Sequence, residues 1–303
     1  DIVIVNWNSG LLVHDCVKSI MESRGYEKLI NKIVIVDNNS NDDSINIIKN
    51  IACSKVELLL NKSNLGFGRA CNLGAKHSNA EFILFLNPDT LLLPNTLDIL
   101  NDKLSKEYYD KKIGVLGGQL LNENGEITTT CSRFPRFIHF LAKSIGLTKL
   151  SPKSKSLNHH MTEFDHNSEH YVDQVMGAFF LVSRNIFNQL NGFDERFFVY
   201  FEEVDFCFRT SELGYKNLFT PDVKAIHKGC GTTESVKSFR LYLSISSRLK
   251  YFYKHENFIA VIGIVLVTFS TELLARLMAP ILKRDFKSAK EVFVAYYKVI
   301  KER

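Results

Sequence analysis

Three carboxylates, Glu202, Glu203 and Asp205, follow directly on an aromatic and apolar run, Phe197-Phe-Val-Tyr-Phe201, that reads as a buried strand. They sit inside a longer stretch, Gly192-Phe-Asp-Glu-Arg-Phe-Phe-Val-Tyr-Phe-Glu-Glu-Val-Asp-Phe-Cys-Phe-Arg209. Far upstream, Asn87-Pro88-Asp89-Thr90 closes another apolar run with an acid. Carboxylates in such places are costly unless cations, donors or a metal meet them. A strand-end acid can hold a hard divalent cation through diphosphate oxygens, and a second acid can take a proton. Together they would serve a displacement with a diphosphate leaving group. Glu202 and Glu203 also suit the solvated first turn of a helix, where the dipole favours negative charge. The residues alone leave both readings open.

The remaining sequence must bring these acids together. Asp1-Ile-Val-Ile-Val-Asn-Trp-Asn8 and Lys32-Ile-Val-Ile-Val-Asp37 are continuous apolar runs ending in polar residues, the pattern of parallel strands covered on both faces. Val56–Leu60 and Glu81–Leu86 repeat it. Helical patterns follow at about Leu11–Ser23, from Asp42, and through Asn64-Leu-Gly-Phe-Gly-Arg-Ala-Cys-Asn72 to His77. This alternation predicts an α/β fold: an open, Rossmann-like, mostly parallel sheet with helices on both faces. Ligands of such sheets bind beyond the carboxyl ends of the strands. Asn6, Asn8, Asp37, Asn38 and Asp89 all fall at that edge. Farther on, 113–140 reads as strand with turns at Gly117-Gly118 and Asn124-Gly125, 143–170 as a long polar loop or lid, and Val172–Val182 as a strand. His139, His159, His160, His166 and His170 share no ligand spacing and read as solvated loop histidines.

The chain has 303 residues, 45% hydrophobic and 23% charged, which suits a soluble globular protein of one large or two modest domains and excludes a disordered or fibrous one. A net charge of +5 is too mild to indicate nucleic acid as a partner. Six cysteines lie scattered without zinc or redox spacing, the usage of reduced thiols in the cytoplasm. The sequence opens in a strand pattern with no basic leader, so no secretory signal is expected, and the missing initiator Met points to a trimmed start. The Gly-x-Gly of Asn64-Leu-Gly-Phe-Gly lacks the third glycine of a dinucleotide fingerprint, and neither a P-loop nor a nucleophile elbow is present.

Past Lys237 the basic residues outnumber the acidic ones. Ser235–His255 predicts a helix carrying Arg240, Arg248, Lys250 and Lys254 among aromatics. Phe258–Phe269 is strongly apolar, short for a membrane span, and followed soon by Glu272 and Arg276. Lys283–Arg303 mixes Lys and Arg with Phe286, Phe293, Tyr296 and Tyr297. Helical packing on the preceding domain and attachment to an anionic membrane surface are both open here.

Taken in order, IVIVNWN, VDNNSNDDS, NLGFGRACNLG, FLNPDT, VDQVMGAFFLVSR, GFDERFFVYFEEVDFCFR and Ala-Ile-His227-Lys-Gly-Cys-Gly resemble the inverting family 2 glycosyltransferases of the GT-A fold. The bacterial rhamnosyltransferase-like members are the nearest likeness, over about Asp1 to His255. The resemblance implies a GT-A catalytic domain over 1–233, with a nucleotide-binding half at about 1–112 and an acceptor half at about 113–233. A helical, membrane-associating region would follow at 234–303. It implies that Asp37 binds the pyrimidine of a dTDP- or UDP-linked sugar, with Asn6 and Asn38 near the nucleotide and Arg69 and Asn72 lining its pocket. Asp89, where the family's Asp-x-Asp motif ends, and His227 would hold Mn²⁺ or Mg²⁺. Asn87 replaces the first acid of that motif. Glu203 falls on the family's catalytic base, usually an Asp, with Glu202 as the fallback. The implied reaction transfers a sugar, L-rhamnose from dTDP-rhamnose by preference, to a lipid-linked glycan acceptor in O-antigen-type polysaccharide synthesis. Its expected place is the inner face of the cell membrane, as a peripheral protein.

Two alternatives stand beside it. A sugar-1-phosphate nucleotidyltransferase would carry a basic Gly-rich loop after the first strand, which Asn6-Trp-Asn-Ser-Gly10 lacks. A non-catalytic glycan-binding module would have no use for Asp89, Glu203 and His227 together.

Overall fold

The computed structural model describes residues 1–229 and 237–301. Its strands are β1 (Ile2–Asn6), β2 (Ile33–Asp37), β3 (Val56–Leu60), β4 (Phe82–Leu86), β5 (Thr90–Leu92), β6 (Ile113–Leu121), β7 (Cys131–Ser132), β8 (His170–Val172), β9 (Gln174–Val175), β10 (Phe179–Ser183) and β11 (Lys216–His227).

The Ile-Val runs build the centre of the sheet. β1 and β2 are buried along their whole length, which is why neither carries a polar face. They pair in parallel from Ile2↔Ile33 to Asn6↔Asp37, so two polar residues finish side by side at the carboxyl edge. β3 and β4 extend this parallel set on either side. The helix Leu11–Glu22 turns Val13, Cys16, Val17 and Ile20 into the core at helical spacing. The helix Phe67–Lys76 lies closer still: a Cβ on Gly74 would stand 2.5 Å from Val3 Cγ1, so a bare backbone is required there.

The full order is β3-β2-β1-β4-β10-β6-β11-β5, with β8 beside β11 and a separate β7-β9 pair. The fold is α/β, as expected, with its parallel set concentrated in the first four strands. β10 runs antiparallel to β4 and β6, while β11 is parallel to β6 and antiparallel to β5 and β8.

The chain divides into two compact units. One comprises Asp1–Ser132, Asp165–Glu195 and the segment from Glu202 through β11; the other gathers Arg133–Phe164, Arg196–Phe201 and the C-terminal helices. In the second unit Phe137–Ser144, Lys237–His255, Phe258–Val267, a π-helical turn Thr268–Glu272, Leu273–Leu282 and Phe286–Lys301 pack on one another.

Several local expectations change. Phe197–Phe201 is no strand; Tyr200 (φ 67°) and Phe201 (φ 70°) adopt left-handed backbone just before the acids. Gly117-Gly118 lies inside β6 rather than at a turn. A Cβ on Gly117 would come 2.5 Å from Val175 Cβ, and one on Gly118 would come 2.7 Å from the Val223 carbonyl oxygen, so these glycines mark close approach. The expected strand over 113–140 ends in the helix Phe137–Ser144, and the one over 172–182 breaks between β9 and β10. His139 and His166 are buried rather than solvated; His166 Nε2 accepts from the Thr130 N–H at 3.2 Å. Cys230-Gly231 of the glycine loop and the first residues of the expected helix from Ser235 lie outside the described residues.

Candidate functional site

Polar side chains at the carboxyl edge of β1 and β2 are committed to one another. Asn6 Nδ2 donates to Asp37 Oδ2 (2.6 Å) and to Ser40 Oγ (3.1 Å), and the Ser40 N–H donates to Asp37 Oδ1 (3.0 Å). Ser9 Oγ donates to Asn6 Oδ1. Asn8 (φ 52°) and Asn39 (φ 64°) take left-handed backbone in the two loops, a conformation Asn tolerates well. The loops are stapled by Asn8 N–H to Ser40 Oγ (2.9 Å) and Asn41 N–H to Asn8 Oδ1 (2.7 Å).

Asn38 pins the next loop. Its amide donates to Asn64 Oδ1 (2.9 Å) and the Gly66 carbonyl (3.1 Å), and its own oxygen accepts from Asn61 Nδ2 and the Leu65 N–H, each at 3.0 Å. Asn72 grips Phe193 through both backbone groups, at 2.8 Å each. Gly192 sits against it with φ 72°, where an added Cβ would be 2.4 Å from Asn72 Oδ1. Arg69 is exposed and pairs with Glu195 Oε2 at 3.3 Å. Asn6, Asp37, Asn38 and Asn72, expected at the nucleotide, are buried and hydrogen-bonded to neighbouring side chains and backbone. Beside them Asn8 and Ser40 are partly exposed and Arg69 is exposed. Ser40 escaped the sequence reading, although an Asp followed three positions on by Ser is a side-chain-capped turn signal.

Asp89 occupies the turn between β4 and β5, where the Thr90 N–H donates to the Asn87 carbonyl at 3.1 Å. β5 pairs with the far end of β11, with Thr90 opposite His227, and this register makes sequence-distant residues neighbours. His227 Nε2 lies 3.3 Å from Asp89 Oδ1 and 3.4 Å from Asn87 Nδ2. Burial opposes the Asp89 charge, yet His227 and backbone N–H groups, that of Gly229 included, outweigh it and hold the carboxyl below its usual range. An ionised carboxylate beside an imidazole nitrogen fits a divalent cation such as Mn²⁺. Among the described residues no group of three His, Cys, Asp or Glu forms a cage. The rest of a cation's shell would come from diphosphate oxygens and water.

Glu202 and Glu203 open the helix Glu202–Glu212 in different surroundings. Glu202 is buried near Gly68, and its Oε2 has no hydrogen-bond partner. Burial first, then the charges of Glu203 and Asp205, push its carboxyl well above the usual range and favour its protonated form. Glu203 is half-buried beside Gly177, where an added Cβ would come 3.7 Å from its Cβ. The next residue, Ala178, accepts through its carbonyl from the Asn87 N–H (3.1 Å) and Thr90 Oγ1 (3.4 Å). Gly177-Ala178 thus borders both Glu203 and the Asp89 turn. Asp205 is fully buried and receives Arg209 Nε at 2.7 Å, while the same guanidinium holds the Leu190 and Gly192 carbonyls. That pair fixes the turn at Leu190–Gly192.

Residues 1–190 match glycosyl transferase family 2. The chain belongs to this family. An N-acetylglucosaminyl-diphospho-decaprenol L-rhamnosyltransferase of Mycobacterium tuberculosis is 28% identical to this family 2 chain over 189 residues, 59% of this chain. The chain spans only 60% of that relative's length. Rhamnosyltransferase WbbL of Escherichia coli is 26% identical over 246 residues, 77% of this chain and 87% of its own. Among solved structures, the mannosyltransferase PcManGT from Pyrobaculum calidifontis, in complex with GDP-Man and Mn²⁺, aligns with a TM-score of 0.59 at 14% identity. The alignment covers 100% of this chain and 87% of the other, and the fold of this family 2 glycosyltransferase is GT-A. The family match includes the strand-end polar groups, Asp89 and Gly177-Ala178; Glu203 and His227 lie beyond it.

Proposed function

We propose that this family 2 glycosyltransferase is an inverting enzyme that moves a sugar from a dTDP- or UDP-linked donor to a hydroxyl of a lipid-linked glycan. L-Rhamnose from dTDP-rhamnose is the preferred donor, and cell-surface polysaccharide synthesis at the cytoplasmic side of the membrane is the setting. The rhamnosyltransferase relatives, one of them named for a decaprenol-linked acceptor, support the substrate class. The observation that carries the reading is the meeting at one sheet edge of an ionised Asp89, its neighbour His227, and Glu203 across Gly177-Ala178.

Glu203 is the general base. Its neighbour Glu202 is the more buried of the two and is biased towards the protonated form, which suits it less to take a proton. Taking the acceptor proton as the hydroxyl attacks the anomeric carbon is worth roughly 10²–10⁴ in rate. One displacement inverts the centre and needs no covalent intermediate. Asp89 and His227 would hold Mn²⁺ or Mg²⁺, whose Lewis acidity neutralises the departing diphosphate when bound. Asp37 binds the pyrimidine, with Asn6 and Asn38 near the nucleotide and Arg69 and Asn72 lining its pocket, and the hydrogen bonds among the strand-end loops hold these groups in place. The catalytic domain is assigned to 1–233, with the nucleotide half at 1–112, the acceptor half at 113–233 and a membrane-associating region at 234–303.

A nucleotide-sugar panel with Mn²⁺, read as release of nucleoside diphosphate, tests this reading. Turnover of dTDP-rhamnose with loss in EDTA supports it. Pyrophosphate release from a nucleoside triphosphate and a sugar 1-phosphate would instead identify a nucleotidyltransferase.

A further inference from the structure

The helical run Phe258–Leu282, 25 residues long, is apolar and long enough to cross a bilayer. Its two faces differ. Phe258, Ile262, Leu266, Leu274, Met278 and Leu282 are exposed along one side. Leu266 and Leu274 stay in line because the π-helical turn Thr268–Glu272 takes up an additional residue between them. The opposite face, with Val261, Ile264, Val267 and Thr268, is buried against neighbouring helices of the same unit. A Cβ on Gly263 would meet the Phe137 ring at 3.1 Å, so this contact is close.

The buried face also carries charge. Arg248 donates to Glu272 Oε2 (2.6 Å) and Thr268 Oγ1 (2.9 Å), and its guanidinium lies over the Phe140 ring at 4.5 Å. Arg276 donates to Glu272 Oε1 at 2.9 Å. A helix crossing the membrane here would take this ion cluster and its lysine-bearing partner helices to mid-bilayer depth, where charge is costly. A helix lying in the plane immerses the exposed stripe alone. The last helix also exposes Phe286, Phe293 and Tyr297, and at its start the exposed Lys283, Arg284, Lys287 and Lys290 outnumber the exposed Asp285. A groove of about 420 Å³ opens on the helical run Phe258–Leu282; Phe258, Val261, Ile262, Val265 and Leu266 give it an apolar wall that suits a lipid chain, and Tyr253 and Glu256 give it a polar end.

We infer that the C-terminal unit docks in a single leaflet of an anionic bilayer, with Phe258–Leu282 lying in the membrane plane and not crossing it. Charge complementarity selects this occupant: these basic residues attract an anionic surface and repel the same residues on a second copy. The inference deepens the reading above by naming the surface from which a lipid-linked acceptor is met, and it rests on that reading for the acceptor alone.

The test uses the full chain with preformed vesicles of phosphatidylglycerol and phosphatidylcholine, or of phosphatidylcholine alone. The chain should sediment with the anionic vesicles, less so at high salt, and be released by alkaline carbonate. Lys254→Cys and Lys287→Cys, which flank the helix, should both react above the parent background with an impermeant maleimide added outside. Ile262→Asp combined with Leu274→Asp should cut partitioning by about tenfold or more at an unchanged melting temperature. Carbonate-resistant protein with only one flank labelled would make the helix a span and overturn the inference. So would equal partitioning of variant and parent, or a dimer in solution that the same substitutions dissolve. Donor hydrolysis by the same samples without vesicles separates the two readings: an active chain that ignores vesicles loses the anchor alone, and an inactive chain that binds them loses the enzyme alone.

Discussion

The strand-end corner at Asp37 and the helix start at Glu202 each bury a carboxylate, and they treat it in opposite ways. Asp37 receives Asn6 Nδ2 on one oxygen and the Ser40 N–H on the other, so its desolvation is offset by local donors. Glu202 leaves Oε2 without a partner and faces the charges of Glu203 and Asp205. In the first corner each carboxylate oxygen already has a donor before any ligand arrives. The second holds an electrostatic tension next to the proposed base, the kind of perturbed titration that gathers where proton transfer is done.

Breaking the strained corner should have the largest effect. Glu203→Gln is expected to lower kcat by about 10²-fold or more with donor affinity nearly unchanged, measured by turnover and by nucleotide titration. A dead Glu202→Gln with an active Glu203→Gln would reverse the roles of the pair. Asp89→Ala should lose most of the turnover together with its Mn²⁺ stimulation while the fold survives, which circular dichroism can check.

The completed corner should fail through stability first. Asp37→Ala leaves one N–H of Asn6 Nδ2 and the Ser40 N–H without an acceptor, and denaturant unfolding should show a loss of about 1–3 kcal/mol, with weaker UDP and dTDP binding. Ser40→Ala removes acceptors for Asn6 and Asn8 and should cost about 0.5–1.5 kcal/mol by the same measurement.

The smallest effect sharpens the contrast through pH. The Glu202 carboxyl is raised in the folded state above its ordinary value of 4.5, so the folded form binds the proton more tightly than the unfolded one. Its contribution is therefore fully present below pH 4.5 and is lost as pH rises through the folded value. Glu202→Gln should flatten that decline in a series of melting curves from acid to neutral pH and leave turnover within a few-fold. A variant whose stability falls with pH as steeply as the parent's would remove Glu202 as the source.

Local patterns were enough for part of this. The Ile-Val runs, their polar terminators and the order of the motifs predicted the parallel strands and the carboxyl edge, because a strand buried on both faces needs continuous apolar sequence whatever surrounds it. The same logic placed Asp89, Glu202 and Glu203 at element ends. It failed at Gly117-Gly118 and Phe197–Phe201, where the meaning of the residues lies in what approaches them: Val175 and Val223 for the glycines, and a left-handed turn for the aromatics. It left Phe258–Phe269 short, since Glu272 reads as a stop until Arg248 and Arg276 satisfy it.

The sequence by itself determined the first parallel strands and their carboxyl edge, the family and the short list of acids. Only the tertiary structure decided which groups surround each acid. The β5–β11 register sets His227 beside Asp89, Gly68 and Gly177 give two adjacent glutamates unequal burial, and the pairing of β1 with β2 seals Asp37 among its donors. Solvation and charge are properties of a neighbourhood, and here each neighbourhood is assembled from segments far apart in the chain.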